Sequence, residues 1–320
     1  MKIFDLVKPK RLKPGDTVGI ISPGSPAWSQ ANIRKVSEWW ESHGYKVKLS
    51  ANLNKRFGYS AGSALERADD VNEMIKDDSV SAIAPLHGGC SSAQILEYID
   101  YDAFNSNPKI FTGYSDITSM HLAFAKFTNV ITFHSPGCLK LANEQVSDYT
   151  IKHFFNAITS ANPLGHITLA NDKKWLYTIH GGTVTAPLIG GNLSLLCSSI
   201  GTPYEFDAEN CILFIEEVNE EPWVVLNCLI HLQNAKKLDG VVGVVIAEGE
   251  NVAPLKFEPS FECNKSHEDI LHDFFVNKKI PVLYGLPMGH TMDMAPFPMR
   301  AMATLNASAK TLEIIEGGVC

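Results

Sequence analysis

The segment Lys109-Ile-Phe-Thr-Gly-Tyr-Ser-Asp-Ile-Thr118 contains a short apolar strand, a glycine that permits a tight turn, and Ser115 at the first turn of a predicted helix. A strand, a tight turn and a helix in this order expose a serine hydroxyl at the edge of the sheet, as in a nucleophile elbow. The free N–H groups at the start of the helix can bind an oxyanion there. Ile117 stands where the usual G-x-S-x-G motif has its second glycine. The alternative is that Ser115 or Asp116 only caps the helix.

Outward from this segment, short apolar runs alternate with longer amphipathic ones, which predicts a parallel sheet covered by helices on both faces. The predicted strands are 17–22, 46–49, 80–86, 109–112 and 130–133, and the predicted helices are 29–43, 64–76, 92–99 and 117–126. We expect right-handed crossovers between these strands.

The alternation breaks after about Pro136, where a helix at 148–158 leads into a polar stretch. We therefore predict an α/β protein with two domains. An N-terminal domain at 1–140 has a parallel, flavodoxin-like sheet, a connection covers 141–180, and a smaller mixed α/β domain occupies 181–320. The C-terminal domain has predicted strands at 211–215, 241–247 and 281–284, helices at 223–234 and 267–276, and a further helix opened by the pair Gly190-Gly191.

Composition narrows the classes of function. The 320 residues include 27 Lys plus Arg and 35 Asp plus Glu, for a net charge of −8, and 45% of them are hydrophobic. An acidic chain without a basic cluster is a poor partner for nucleic acid. No uncharged apolar window reaches the roughly 18 residues of a membrane span, and the charged N-terminus does not resemble a signal peptide. We therefore expect a cytoplasmic protein.

Neither a metal nor a nucleotide cofactor is predicted. The seven cysteines form no Cys-x-x-Cys pair, as expected of reduced thiols. His267 and His272 are five positions apart, so their rings diverge on a helix and do not form the zinc motif His-Glu-x-x-His. The pairs Gly88-Gly89 and Gly190-Gly191 lack the G-x-G-x-x-G spacing of a dinucleotide site.

A serine nucleophile needs a base and a carboxylate that orients it. His290 follows the apolar strand 280–284 and a short loop, at the edge where α/β sheets bind ligands. Glu216 and Glu217 end another buried strand. The pair Gly88-Gly89 follows a third strand and could donate an oxyanion N–H. Each feature also has a structural alternative, namely an incidental loop histidine or a pair of solvated turn acids.

Taken together and in this order, these segments resemble the LD-carboxypeptidase family of serine peptidases, which includes murein tetrapeptide carboxypeptidases and microcin C immunity peptidases. The matching stretches are 13–16 with 21–23, 66–72, 87–89, 112–118, 188–196, 213–218 and 285–290.

The resemblance implies a Ser-His-Glu triad divided between the two domains. Ser115 matches the nucleophile, His290 the base and Glu216 the carboxylate, with Glu217 as the alternative acid. The resemblance further implies an oxyanion hole formed by the N–H of Asp116 and that of Gly88 or Gly89. The implied reaction removes a C-terminal D-alanine from cytosolic muropeptides without a cofactor or metal.

The chain departs from the family pattern at three places. His87 and Cys90 replace the Arg and Tyr of Arg-Gly-Gly-Tyr, so a residue that often lines the substrate site has lost its permanent charge. After the histidine, the family has an Asn and later Pro-x-Gly, whereas this chain has Met294 and Pro298-Met-Arg300. Before Pro187, the family has a small residue followed by glycine, whereas this chain has Thr185-Ala186. None of these changes removes a residue of the triad, but they leave the identity of the substrate undetermined.

Two other functions therefore remain possible at this point. One is an immunity-type peptidase acting on a peptidyl-nucleotide toxin, for which Trp175 is a conceivable platform for the base. The other is a two-domain protein that binds a peptide without turnover. The resemblance also allows a homodimer, although no interface can be read from the residues.

Overall fold

The computed structural model describes residues 6–171, 175–254 and 264–320, which form two sheets with helices packed around them. The strands are β1 (Thr17–Ile21), β2 (Lys46–Leu49), β3 (Val80–Pro85), β4 (Ile110–Gly113), β5 (Phe133–His134), β6 (Gly165–His166), β7 (Tyr177–His180), β8 (Thr183–Asn192), β9 (Ile212–Glu216), β10 (Gly243–Ala247), β11 (Val282–Leu286), β12 (Phe297–Pro298), β13 (Met302–Asn306) and β14 (Thr311–Ile314). The α-helices are α1 (Gln30–Ser42), α2 (Ala64–Lys76), α3 (Tyr101–Ser106), α4 (Thr118–Phe127), α5 (Cys138–Leu141), α6 (Asp148–Thr159), α7 (Leu193–Ser199), α8 (Pro222–Asn234) and α9 (His267–Phe275). Two 3₁₀ helices cover Ser92–Tyr98 and Ser115–Ile117.

The first sheet has the strand order β12-β5-β4-β3-β1-β2, and β1 to β5 pair in parallel. Its order 2-1-3-4-5 is that of flavodoxin-like sheets. The predicted fold class is thus confirmed. β12, which comes from near the end of the chain, pairs antiparallel with β5 and completes this sheet.

Local signals explain why the N-terminal elements agree with the sequence. Val18, Ile20 and Ile21 of β1 are fully buried, as expected of a central strand covered on both faces. α2 begins at the predicted residue because Ser63 and Glu66 form a reciprocal capping box. The segment predicted as a helix at 92–99 is a 3₁₀ helix instead.

The second sheet has the order β6-β14-β13-β8-β9-β10-β11-β7. Its parallel centre of β8 to β11 is flanked by four antiparallel strands, and none of these four (β6, β7, β13 and β14) has a counterpart among the predicted elements. Gly190 and Gly191 end β8, and the helix begins after them at Leu193. A side chain at Gly190 would lie 1.9 Å from the carbonyl oxygen of Phe214, so this close approach to β9 requires glycine.

Arg300, which follows β12, binds the end of helix α4 in the first half of the chain. Its guanidinium is buried and donates hydrogen bonds to the carbonyl oxygens of Ala125, Thr128 and Val130 at 3.1, 3.0 and 2.8 Å. These carbonyls lie in the last turn of α4 and just after it, where a cation is favoured. Burial lowers the Arg300 pKa to about 10, so the side chain remains charged at neutral pH.

In the described parts of the chain, no helix combines the length and the apolar character needed to cross a bilayer. The predicted domain limits at 140 and 180 remain predictions. α6 lies within the predicted connection, yet Phe154, Ala157 and Ile158 of this helix are buried in the core of the first sheet.

We expect Arg300→Met to lower the free energy of unfolding by about 3 kcal/mol, because three buried carbonyls lose a charged donor. Urea denaturation measures the change. Arg34→Met, at an exposed position of α1, is the control and should leave stability within about 0.5 kcal/mol of the wild type. Equal stability of the two variants would contradict the structural role of Arg300.

Candidate active site

A cavity of about 610 Å³ lies between the two sheets. Ser115, Gly88 and His87 line it from the first half of the chain, and His290 lines it from the second half. The cavity therefore brings together residues that are up to about 200 positions apart in sequence.

Ser115 lies two residues after the end of β4 in a strained backbone conformation. Its φ angle is +62°, in the left-handed region that non-glycine residues rarely adopt and that often occurs at functional sites. Gly113 before it has φ +131°, and a side chain there would lie 2.9 Å from Ile117. Ile117, which departs from the usual elbow motif, thus packs over the glycine that allows the turn.

Gly88 lies against the serine. A Cβ at Gly88 would be 3.0 Å from the Cβ of Ser115 and 3.3 Å from the backbone nitrogen of Asp116. Gly89 has φ +129°, and a Cβ there would be 2.5 Å from the backbone nitrogen of Ser25. The structure therefore places Gly88 and the N–H of Asp116 together beside the hydroxyl, whereas Gly89 packs against another loop.

The side chain of Asp116 connects the segment that contains Ser115 to the loop that follows Gly88 and Gly89. Its Oδ2 accepts hydrogen bonds from the backbone N–H groups of Ser91 and Ser92, at 3.0 and 2.9 Å. Burial raises its pKa, while these hydrogen bonds and the nearby Arg67 act in the opposite direction. The sequence suggested the N–H of Asp116 as an oxyanion donor and its side chain as a helix cap, whereas the structure, in the residues that it describes, shows no side-chain cap at this helix start.

His290 and Glu216 form the shortest contact between the predicted site residues. The Nδ1 atom of His290 lies 2.6 Å from Oε2 of Glu216, and the Glu216 side chain is completely buried. The His290 ring also packs on the ring of Tyr114, with 4.7 Å between the centroids. Because Nδ1 is bound to the carboxylate, Nε2 is the nitrogen that remains to exchange a proton.

Ser115 and His290 line the same cavity, and the hydrogen bonds of these two described residues do not include a direct one between them. In sites without substrate, catalytic hydrogen bonds are often long and shorten only in the complex.

Glu217 has a different environment from Glu216. Its carboxylate accepts hydrogen bonds from Asn192 Nδ2 at 2.8 Å and from the N–H and Oγ of Ser194 at 2.9 and 2.7 Å. It also accepts one from the N–H of Val218 at 3.0 Å. Glu217 therefore binds the N-terminus of α7 and has no oxygen left to orient a histidine.

His134 is a buried neighbour of the pair that sequence reasoning did not find. Its ring lies between Phe214 and Phe297, and its Nε2 donates a hydrogen bond to the carbonyl of Met288 at 2.8 Å. Burial lowers its pKa to about 4, so the ring is neutral at pH 7. Because His134 ends β5 and Met288 precedes His290, this hydrogen bond ties the loop of His290 to the first sheet.

The rim of the cavity is aromatic on one side. His87 Nε2 donates a hydrogen bond to the carbonyl oxygen of Pro26 at 3.0 Å, and the His87 ring lies 5.5 Å from that of Trp28. Trp28 is 72% exposed and lines the cavity. Trp175, for which the sequence allows either a platform for the base or a packing role, packs against Tyr177 and Tyr284.

Comparison with known proteins identifies the family of this chain. The protein-family model of the LD-carboxypeptidase N-terminal domain matches residues 18–135. The family model of the LD-carboxypeptidase C-terminal domain matches residues 185–305. A relative from Bacillus subtilis (strain 168), named probable murein peptide carboxypeptidase, is 35% identical over 99% of this chain and 97% of its own length.

Two solved structures show the same fold over nearly the whole chain. The microcin C7 self-immunity protein MccF superposes with a TM-score of 0.88 at 25% identity, covering 98% of this chain and 100% of that protein. A muramoyltetrapeptide carboxypeptidase from Oxalobacter formigenes superposes with a TM-score of 0.80 at 25% identity, covering 93% of this chain and 97% of that protein.

The two adjacent acids should differ in their effect on folding. Glu217→Ala removes four hydrogen bonds at the start of α7, so we expect the free energy of unfolding to fall by about 2 kcal/mol. Glu216→Gln removes a buried charge and should change it by less than about 1 kcal/mol. Urea denaturation of both variants tests this difference, and the opposite order of stabilities would refute it.

The buried histidines predict that the free energy of unfolding decreases at acidic pH. Burial lowers the pKa of His121 to about 3 and that of His134 to about 4, below the ordinary value of 6.5. The unfolded chain therefore binds more protons as the pH falls below 6.5, and each histidine should cost about 2 kcal/mol of stability between pH 7 and pH 5. Urea denaturation at both pH values measures this loss.

The variant His134→Phe provides the control for this pH effect. Between pH 7 and pH 5, the free energy of unfolding of this variant should fall by about 2 kcal/mol less than that of the wild type. His267 is a third buried histidine whose pKa is lowered to about 4, so a wild-type stability that is the same at pH 5 and pH 7 would contradict the assignment of buried neutral histidines.

Proposed function

The chain belongs to the LD-carboxypeptidase family of serine peptidases, and we propose that it hydrolyses the bond between an L-centre and a C-terminal D-alanine in murein tetrapeptides. The family makes it a hydrolase of the serine carboxypeptidase type. The substrate is supported by the similarity to proteins named murein peptide and muramoyltetrapeptide carboxypeptidase. The observation that carries the proposal is the buried Glu216–His290 pair in the cavity that Ser115 also lines.

In this mechanism, Ser115 is the nucleophile. His290 Nε2 removes the hydroxyl proton as Oγ attacks the scissile carbonyl carbon. Glu216 holds the ring by its Nδ1–H and stabilises the imidazolium that forms. The protonated His290 then donates its proton to the leaving nitrogen of D-alanine, which leaves an acyl-enzyme on Ser115.

Backbone amides stabilise the negative charge on the tetrahedral intermediate. The N–H of Asp116 and that of Gly88 are the proposed donors, with Gly89 as the alternative second donor. Loss of one such donor typically lowers turnover by about 10²- to 10³-fold. Water activated by His290 then attacks the acyl-enzyme, releases the shortened peptide and restores Ser115.

We place this reaction in the cytoplasm, where it would act on peptides released from the cell wall. The proposed partner is the muropeptide substrate rather than nucleic acid or a membrane, and a homodimer remains a prediction. The net charge of −8 disfavours binding to polyanions, which supports this choice.

A second candidate is cleavage of a peptidyl nucleotide. Trp28 favours it, because an exposed indole at the cavity rim offers a surface on which a nucleobase can stack. The structural likeness to the microcin C7 self-immunity protein is a further reason to test it. Family membership favours turnover over the remaining alternative, a peptide-binding protein without catalysis.

Mass spectrometry of reaction mixtures tests these functions. With the wild-type protein, we expect a murein tetrapeptide to lose one alanine, and Ser115→Ala and His290→Ala to lower turnover by about 10⁶-fold because the triad acts as a unit. Circular dichroism should show that both variants remain folded. Cleavage of a peptidyl-nucleotide conjugate but not of the tetrapeptide would establish the second candidate, and full activity in either folded variant would refute the proposed roles.

A further inference from the structure

Lys140 lies in the same cavity and has no role in the mechanism above. It belongs to α5 and lines the cavity together with Ser115 and His290. Among the described residues that line this cavity, it is the one lysine or arginine. Lys140 is therefore the one source of lysine or arginine charge among the described lining residues.

The ammonium group is held between the two halves of the site. It donates a hydrogen bond to the carbonyl oxygen of Thr291, the residue after His290, and lies 5.6 Å above the ring centroid of Tyr114, the residue before Ser115. An ammonium has three N–H donors, so two remain after the bond to Thr291. The charge is thus fixed next to the reacting groups and keeps donors for a ligand.

The charges around Lys140 keep it protonated. Burial lowers its pKa to about 8, while the carboxylates of Glu216, Glu250 and Asp293 act to raise it. The side chain is therefore mainly cationic at neutral pH. Glu248, Glu250 and Asp293 also line the cavity, so an anionic group of a ligand is repelled from their side and attracted to Lys140.

A carboxypeptidase acts on a substrate whose free carboxylate belongs to the leaving residue, within a few bonds of the scissile carbonyl. This carboxylate enters a cavity that holds three carboxylates of its own, so its desolvation requires a cationic partner. We propose that Lys140 binds the C-terminal carboxylate of the substrate and thereby restricts the enzyme to the last peptide bond. This inference rests on the proposed carboxypeptidase function and names a specificity residue for it.

The test compares one murein tetrapeptide in two forms, with a free C-terminal carboxylate and with a C-terminal amide. We expect wild-type kcat/KM to be about 30-fold higher for the free acid, and Lys140→Met to reduce this preference to less than about threefold. Lys140→Arg keeps the charge and should retain a preference of about tenfold or more.

Lys109→Met is the matched control. Lys109 is also buried and donates hydrogen bonds to the carbonyl oxygens of Asp77 and Val80, but it lies outside the cavity. Its substitution should leave the preference for the free acid at the wild-type value. An unchanged preference in Lys140→Met would overturn the proposal, and so would an equal loss of kcat/KM on both peptides, which would make Lys140 only a contact between the two halves.

If the wild-type protein cleaves neither peptide, the proposed function fails, and calorimetric binding then tests Lys140 separately. In the Ser115→Ala background, the free acid should bind about 30-fold more tightly than the amide, and Lys140→Met should remove this difference. Equal affinity for the two peptides before the Lys140 substitution would overturn the role of Lys140.

Discussion

The contact between Glu216 and His290 is the interaction on which the site depends. Glu216 ends β9 and His290 follows β11, and these two parallel strands of the second sheet lie on either side of β10. The 2.6 Å hydrogen bond fixes the ring by Nδ1, so that Nε2 is left for proton transfer. Since the Glu216 side chain is completely buried, a charge on it requires this partner.

The nucleophile belongs to the other sheet, so the site also requires that the two sheets keep one relative position. Several polar contacts cross between them. Arg300 binds three carbonyls near the end of α4, His134 binds the carbonyl of Met288, and Lys140 binds that of Thr291. The last two act on the loop of His290 itself. Strand β12 adds backbone pairing to the first sheet, so the chain crosses back to it just after the loop of His290.

Much of the fold could be predicted because its signals are local. The apolar run of β3 and the Ser63–Glu66 capping box of α2 need only neighbouring residues. β13 and β14 escaped prediction because half of each short strand is only partly buried and their antiparallel partners are distant in sequence. For the same reason Ser115, Glu216 and His290 could be proposed from strand ends and a resemblance, whereas the contacts of His134 and Lys140 depend on the meeting of two sheets. The different hydrogen bonds of the adjacent acids Glu216 and Glu217 likewise could not be read from the sequence, and they are the reason that Glu216 is the acid we propose.

A double-mutant cycle on kcat tests the central claim that Glu216 acts only through His290. On the murein tetrapeptide, Glu216→Gln should lower kcat by about 10⁴-fold and His290→Ala by about 10⁶-fold. The combined variant should then keep the residual rate of His290→Ala, about 10³-fold above the uncatalysed reaction, because removing the histidine leaves the carboxylate nothing to orient. A combined variant whose rate falls well below that of His290→Ala would contradict the account, since Glu216 would then contribute to catalysis by a route that does not pass through the imidazole.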